Sequence, residues 1–250
     1  MDRLRQVFLV LAGLATPAAG QAVLFDFDTA PPYSPLPINL TVGGITAQFS
    51  ATGQGFSIQR ADALGFTPVG FAGYCIYPSS VYAADLLIGF SQALTDFSIL
   101  YAPEEYACDS SATMRVTAYM SGTPVGTNTT FADPPGTWPT ATLSITVAQG
   151  FNSVVVHYDA PPPTGGDWGP IFMADNMIVT PLVVVRRGDL NGDGTVGFGD
   201  INPFVLYLSN FSAWQAAYPT VPPANGDINQ DGTFPSFADI NPFVALLGGA

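Results

Sequence analysis

G-D-L-N-G-D-G-T-V-G-F-G-D-I-N-P-F-V, residues 188–205, returns as G-D-I-N-Q-D-G-T-F-P-S-F-A-D-I-N-P-F-V, residues 226–244. Repetition at this length marks a duplicated structural unit. Each copy opens on Asp, Asn and Asp at alternate positions, continues with Gly, and closes on another Asp. An apolar run with helical spacing follows: Phe198, Ile201, Phe204, Val205 and Leu208, matched by Phe237, Ile240, Phe243, Val244 and Leu247. Pro203 and Pro242 fall in the first turn of each exiting helix, where proline is tolerated. The segment is therefore predicted as loop plus helix, twice, with no helix entering either loop. Ser212 to Tyr218 is a candidate for a further helix between the copies.

The loop spacing carries the chemistry. In a twelve-residue calcium loop, positions 1, 3 and 5 supply side-chain oxygens, position 6 is Gly, position 7 offers its carbonyl, and position 12 closes the site. The first copy fits with Asp189, Asn191, Asp193, Gly194, the Thr195 carbonyl and Asp200. Gly197 at position 9 has no side-chain oxygen, so water is expected there. The second copy supplies Asp227, Asn229, Asp231, Gly232 and the Thr233 carbonyl, but its closing carboxylate, Asp239, arrives one residue late because F-P-S-F replaces V-G-F. Strict counting puts Ala238 at position 12, which binds nothing. A bulge around Pro235 is expected to bring Asp239 in, with lower affinity than the first loop.

Loop plus exit helix in duplicate, over 188–247, resembles a type I dockerin. That resemblance implies Ca2+ at two sites, closure by Asp in place of the usual Glu, and attachment to a cohesin-like partner on a scaffold. Each helix alone is too short to persist in water, so metal and the facing helix are expected to hold the pair together.

Upstream the texture changes. From Val23 to Pro181 short apolar runs alternate with polar residues between Gly, Pro, Ser and Thr. Ile38, Leu40 and Val42 alternate with Asn39 and Thr41, and Gly43-Gly44 turns the chain into Ile45, Ala47 and Phe49, a hairpin signal. Further strands are expected over Asp85 to Phe90, Asp96 to Tyr101, Met114 to Met120, Ala141 to Val147, Ser153 to Tyr158 and Ile171 to Thr180. The fold class is mainly β: a jelly-roll-type two-sheet sandwich over 23–181, a linker over 182–187, and a small helical calcium-binding dockerin-like domain over 188–250.

The runs D-F-S-I-L-Y (96–101), V-T-A-Y-M-S-G-T-P-V-G-T (116–127), S-V-V-V-H-Y (153–158) and A-D-N-M-I-V-T (174–180) resemble secreted carbohydrate-binding and galactose-binding-like jelly-roll domains. In such sandwiches the first and last strands share a structural calcium, which marks Asp26, Asp28 and Asp175 as candidate ligands, against the reading of solvent-facing strand positions. Tyr74, Tyr77, Tyr82, Trp138 and Trp168 lie in or near turns and are candidates for stacking on sugar rings, against a role capping the core.

The N-terminus begins with Arg3 and Arg5, continues with apolar Val7 to Ala15, and ends in small residues before Ala22, the pattern of a secretory signal peptide over 1–22 cleaved after Gly20 or Ala22. The apolar stretch is too short for a membrane span. Export makes Cys75 and Cys108 a natural pair, a staple contributing roughly 3–4 kcal/mol. A net charge of -13 with no lysine excludes a basic nucleic-acid face.

Catalytic signals are sparse. Glu104 and Glu105 are the only glutamates and, being adjacent, point to opposite faces of a strand, unlike the paired carboxyls of a glycoside hydrolase. His157, the sole histidine, sits in an apolar strand and reads as a packed residue. Three readings remain open. One is a secreted, extracellular or surface-bound non-catalytic module that binds polysaccharide and docks through its tail. The others are a glycan-active hydrolase with a dockerin tail, and a structural surface protein that self-assembles through the calcium repeat.

Overall fold

The computed structural model describes residues 20–53, 55–79, 84–104, 113–132, 138–159 and 171–248. They fall into two compact units that divide between Leu182 and Val183. The expected leader lies, up to residue 19, outside the described residues.

Among the described residues the first unit is built from ten antiparallel strands: β1 Val23–Phe25, β2 Ile38–Val42, β3 Ile45–Ala51, β4 Phe56–Arg60, β5 Tyr74–Pro78, β6 Leu86–Glu104, β7 Thr113–Met120, β8 Thr123–Phe131, β9 Ala141–Tyr158 and β10 Ile171–Pro181. Alternation does what it should. In β7, Met114, Val116 and Ala118 are fully buried while Arg115, Thr117 and Tyr119 between them are half-buried. Gly43 and Gly44 both take positive φ, 56° and 79°, closing the two-residue β2–β3 hairpin expected from the sequence.

The sheet order is β4-β5-β10-β6-β9-β7-β8, with β1 on β10 and β2-β3 joined to β6. Two strands organise it. The start of β6, Leu86 to Phe90, pairs with β3, while its later part, Leu94 to Glu104, pairs with β10. The long strand β9 accompanies it throughout, and register shifts between Gly89, Leu94 and Asp96 mark the place where both bend. The hydrogen-bonded sheet thereby folds over itself into two layers around a main core, with a smaller cluster of Phe71, Trp138 and Met173 apart from it. Phe25 and Phe27 meet Phe49 at ring-centroid distances of 6.4 and 5.3 Å. Phe90 meets Phe97 and Phe151 at 6.5 and 6.4 Å. The Tyr101 hydroxyl donates across the layers to the Thr130 carbonyl at 2.9 Å.

Two features differ from expectation. The four runs read as separate strands at 85–90, 96–101, 141–147 and 153–158 are halves of β6 and β9. Alternation breaks where a strand passes from one layer to the other, and that break imitates a turn. Cys75 is a buried free thiol in β5, and Cys108, the partner expected for it, lies outside the described residues, so the staple is not seen. Burial, and then the nearby Asp175 charge, push the Cys75 thiol up to about 12.

Among the described residues the second unit holds three α-helices: α1 Ile201–Ser209, α2 Phe211–Ala217 and α3 Ile240–Gly248. A short 3-10 turn precedes both α1 and α3, and Asn210 caps α2 by accepting the Ala213 N–H. The rings of Phe204 of α1 and Phe243 of α3 meet at a tilt, 4.2 Å apart, and join the two copies. Trp214 packs edge-on to Tyr207 and donates its indole N–H to the Leu190 carbonyl at 3.0 Å. Arg186 and Arg187, which fall in the expected linker over 182–187, are tied into this unit. The Arg186 guanidinium donates to the Gly194 carbonyl at 2.7 Å and Arg187 Nε to the Asp227 carbonyl at 3.0 Å.

The apolar runs after the loops do not bury as single faces. Phe204 and Phe243 turn inward, while Phe198, Ile201 and Val205 in one copy and Phe237, Ile240 and Val244 in the other are exposed. A pair of nine-residue helices has one seam to fill; Leu208 and Leu247 pack against its cluster, and the outward residues are left uncovered by any described element.

Candidate functional site

Both loops wrap backbone N–H groups around their carboxylates. In the first, Asp189 accepts from Gly192 and Gly194 at 2.8 and 3.0 Å. Asn191 accepts from the Asp193 N–H and donates to the Asp193 carboxylate. The Thr195 hydroxyl and N–H, together with Asn191, hold the Asp193 carboxyl below its usual range. Asp200 reaches back so that Oδ1 accepts from Leu190 and Asn191 at 2.8 and 3.1 Å, and Oδ2 accepts from Gly197 at 2.9 Å.

The second loop repeats this plan despite its extra residue. Asp227 accepts from Asp231 and Gly232, Asn229 brackets Asp231, and the Thr233 N–H holds the Asp231 carboxyl low. Asp239 Oδ1 accepts from Ile228 and Asn229 at 2.7 and 2.9 Å, the counterparts of the two donors to Asp200. The insertion is thus absorbed before Asp239, within the segment around Pro235. One contact is lost: Asp239 Oδ2 is buried and has no hydrogen-bond partner.

Burial sharpens the electrostatics. Asp189, Asp200, Asp227 and Asp239 are 3%, 1%, 7% and 0% exposed. The ion pairs among the described residues, Arg60–Asp62, Arg115–Asp159 and His157–Asp85, involve none of them. Buried carboxylates of this kind are ordinarily paired with a cation or bound to a metal. Among the described residues no three Asp, Glu, His or Cys side chains converge as a ready cage. A loop of this type draws instead on two or three carboxylates, an amide and a carbonyl, and the orphaned Asp239 oxygen fits a hard cation with oxygen ligands.

In the sandwich, Asp26, Asp28 and Asp175 gather around one short loop. Asp175 Oδ2 accepts the Ala72 N–H at 3.1 Å and Asp28 Oδ1 accepts the Tyr74 N–H at 2.8 Å, while Asp26 accepts from Asp28. Gly73 leaves the space that the Asp28 carboxylate fills. Burial, opposed by hydrogen bonds from Ala72 and Asn176 and reinforced by Asp28 and Asp26, pushes Asp175 up to about 7.

The five aromatic candidates part company. Trp138 is 6% exposed and belongs to a small core cluster with Phe71 and Met173, so it offers no face to a sugar. Tyr77 packs against that same cluster. Tyr82 and Trp168 lie outside the described residues. Tyr74 remains, half-buried at the start of β5, its ring 6.3 Å from Tyr33 and nearly perpendicular to it. Sequence reading passed over Arg60 and Asp62, which with Tyr74 line a depression of about 300 Å³ bounded by Thr67, Phe71 and Gly73, and over Tyr33, whose ring meets Tyr74. The available signal was R-A-D at 60–62, two opposite charges in a chain with 10% charged residues.

The proteins compared add little at sequence level: no family model matches the chain, and no curated protein matches it. Solved structures align to it at low similarity. The K1 cleaved adhesin domain of Lys-gingipain from Porphyromonas gingivalis is 14% identical, covering 64% of this chain and 98% of that one, with TM-score 0.36. A CBM61 module in complex with β-1,4-galactotriose is 8% identical over 54% of this chain and 88% of that one, with TM-score 0.34. The CBM51-2 and INT domains of Clostridium perfringens ZmpB, with GlcNAc, are 12% identical over 67% and 41%, with TM-score 0.31. Likeness at this level leaves function to be read from the residues. No helix among the described residues is long and apolar enough to cross a membrane.

Proposed function

We propose that the chain is a secreted, non-catalytic module whose β-sandwich binds carbohydrate and whose C-terminal repeat docks it, in a calcium-dependent way, to a cohesin-like domain on a scaffold. The observation that carries this reading is a pairing made twice. Each copy combines nearly buried carboxylates that have no ion-pair partner among the described residues with an exposed apolar trio, Phe198, Ile201 and Val205 or Phe237, Ile240 and Val244. Residues Asp189, Asn191, Asp193, Asp200 and the Thr195 carbonyl would hold one calcium ion; Asp227, Asn229, Asp231, Asp239 and the Thr233 carbonyl would hold the other. The bound ion supplies positive charge that the loops' own side chains lack. The chain's part is to fix the loops on the Phe204–Phe243 seam and so aim the two apolar trios outward. Asp26, Asp28 and Asp175 form a third candidate site, where a cation would relieve the repulsion among them. Secretion and the non-catalytic reading belong to the same proposal. The test is surface plasmon resonance of the full chain against cohesin domains in calcium and in chelator. Binding in calcium that is lost in chelator, and lost again in the Phe198→Ser/Phe237→Ser double variant, is expected. Equal binding in chelator contradicts the proposal, as does hydrolysis of chromogenic glycosides by the chain.

A further inference from the structure

The end of the sandwich where β4 meets β5 carries an arrangement that the sequence did not announce. Arg60, the last residue of β4, lies directly across from Tyr74, the first of β5. Its guanidinium grips Asp62 through two parallel bonds, Nε to Oδ1 at 2.8 Å and Nη2 to Oδ2 at 2.7 Å. Both partners stay open to solvent, with side chains 58% and 48% exposed. A fork–fork pair at the surface contributes little to folding, yet it is rigid and directional. Among the described residues, three of the five guanidinium N–H donors and the outer lone pairs of Asp62 remain unused.

Tyr33 closes the group. It is 62% exposed, and its backbone is held at φ 61° by the hydrogen bond from its N–H to the Ile58 carbonyl at 2.8 Å. A bulky residue in the left-handed region is strained, and strain of this kind concentrates where a side chain must be presented. The Tyr33 ring stands edge-on to Tyr74, so the two form an aromatic corner beside the ion pair.

Resting on the reading of the sandwich as a carbohydrate-binding module, we infer that Tyr33, Tyr74, Arg60 and Asp62 form its binding site for the terminal unit of a neutral saccharide. The chemistry matches part by part. Tyrosine faces take the apolar C–H side of a pyranose ring. The remaining donors of Arg60 and acceptors of Asp62 serve adjacent hydroxyls, which both give and accept hydrogen bonds. Because Arg60 is already neutralised by Asp62, and Asp28 lies just behind Gly73, the site gives no net attraction to an anion. A volume of about 300 Å³ is at the small end of ligand pockets, which suits a chain end rather than a polymer laid across a sheet. The competing surface is the longer depression across β3, β6, β9 and β7, lined by Gln48, Gly89, Tyr119 and Ser153.

Affinity electrophoresis of the full chain in calcium, through gels holding galactan, xyloglucan, galactomannan or polygalacturonate, separates these surfaces. The wild-type chain should be retarded by at least one of the three neutral polymers. Tyr33→Ala and Arg60→Met should each weaken that binding roughly tenfold, with unchanged unfolding midpoints because both side chains are exposed. Tyr119→Ala should bind as wild type. Retardation that survives Tyr33→Ala and Arg60→Met, or that disappears in Tyr119→Ala, overturns the site and leaves the carbohydrate reading standing. Wild-type retardation by polygalacturonate alone overturns the neutral specificity. Retardation by none of the four overturns the carbohydrate reading and the site with it.

Discussion

The sandwich and the repeat solve the problem of stability with different materials. In the sandwich, a continuous apolar core from Phe25 to Val179 is enclosed by a sheet folded over itself, and its buried polar groups are few. The repeat encloses only a small aromatic cluster around Tyr207 and Trp214, and it buries four carboxylates beside it. Apolar burial is independent of what is dissolved in the buffer, whereas buried carboxylates without cations are unfavourable until a cation arrives. Calcium should therefore decide the folding of the short unit, whereas in the sandwich its effect should be confined to the Asp26, Asp28 and Asp175 site.

The largest expected effects test the two cores. Phe49→Ala removes the ring that Phe25 and Phe27 both touch and should cost the sandwich about 3–5 kcal/mol, equally in calcium and in chelator. Trp214→Ala should cost the repeat a similar amount and lower its apparent calcium affinity as well, because folding and binding are one equilibrium there. Separate unfolding transitions in calorimetry read both. A Phe49→Ala penalty that changes with calcium would break the contrast.

A smaller effect with a change of sign sharpens it. Asp239→Asn removes a buried charge whose Oδ2 has no partner. In chelator the variant should be more stable than wild type by about 1–3 kcal/mol, and in calcium less stable, since a ligand charge is gone. Denaturant titrations of the repeat in both buffers check it; the same sign in both would show that Asp239 is a purely structural acceptor.

Much of this contrast is legible in the sequence, and the illegible parts have physical causes. The duplicated Asp-Asn-Asp-Gly spacing exposes the loops because oxygen ligation is a local property of consecutive residues. Even the displaced Asp239 could be placed, and its Oδ1 meets Ile228 and Asn229 as Asp200 meets Leu190 and Asn191. The hairpin at Gly43-Gly44 is equally local. What alternation conceals is β6 and β9 running on through a bend, since a change of layer reverses the inward face. The outward Phe198 and Phe237 were concealed too, because helical period says that a stripe is apolar without saying what covers it. Tyr33 and Arg60 meet only through the fold, by way of Ile58 and Tyr74.

Acid–base behaviour gives a still smaller test on the sandwich side. Asp175 has its folded pKa raised to about 7 from 3.8, so the folded state binds the proton more tightly than the unfolded chain. Its contribution is fully present below about pH 4 and is lost as pH rises through about 7. In chelator the sandwich midpoint should fall by roughly 10 °C across that window, and Asp175→Asn should flatten the profile. Calcium should flatten it as well if Asp26, Asp28 and Asp175 bind the ion. The least effect is expected from ranking the loops. Calorimetric calcium titration should give two unequal events, with the tighter one missing in Asp193→Ala; a tighter event that vanishes only in Asp231→Ala would reverse the ranking.

The most direct test of the central claim is hydrogen exchange of the full chain, measured by mass spectrometry in calcium and in excess chelator. Amides over 188–248, including those of Leu190, Asn191, Ile228 and Asn229 that the closing carboxylates accept, should lose protection when calcium is removed. Those of β6 and β9 in the sandwich should change far less between the two buffers than those of the repeat. Equal protection of the repeat with and without calcium would contradict the account.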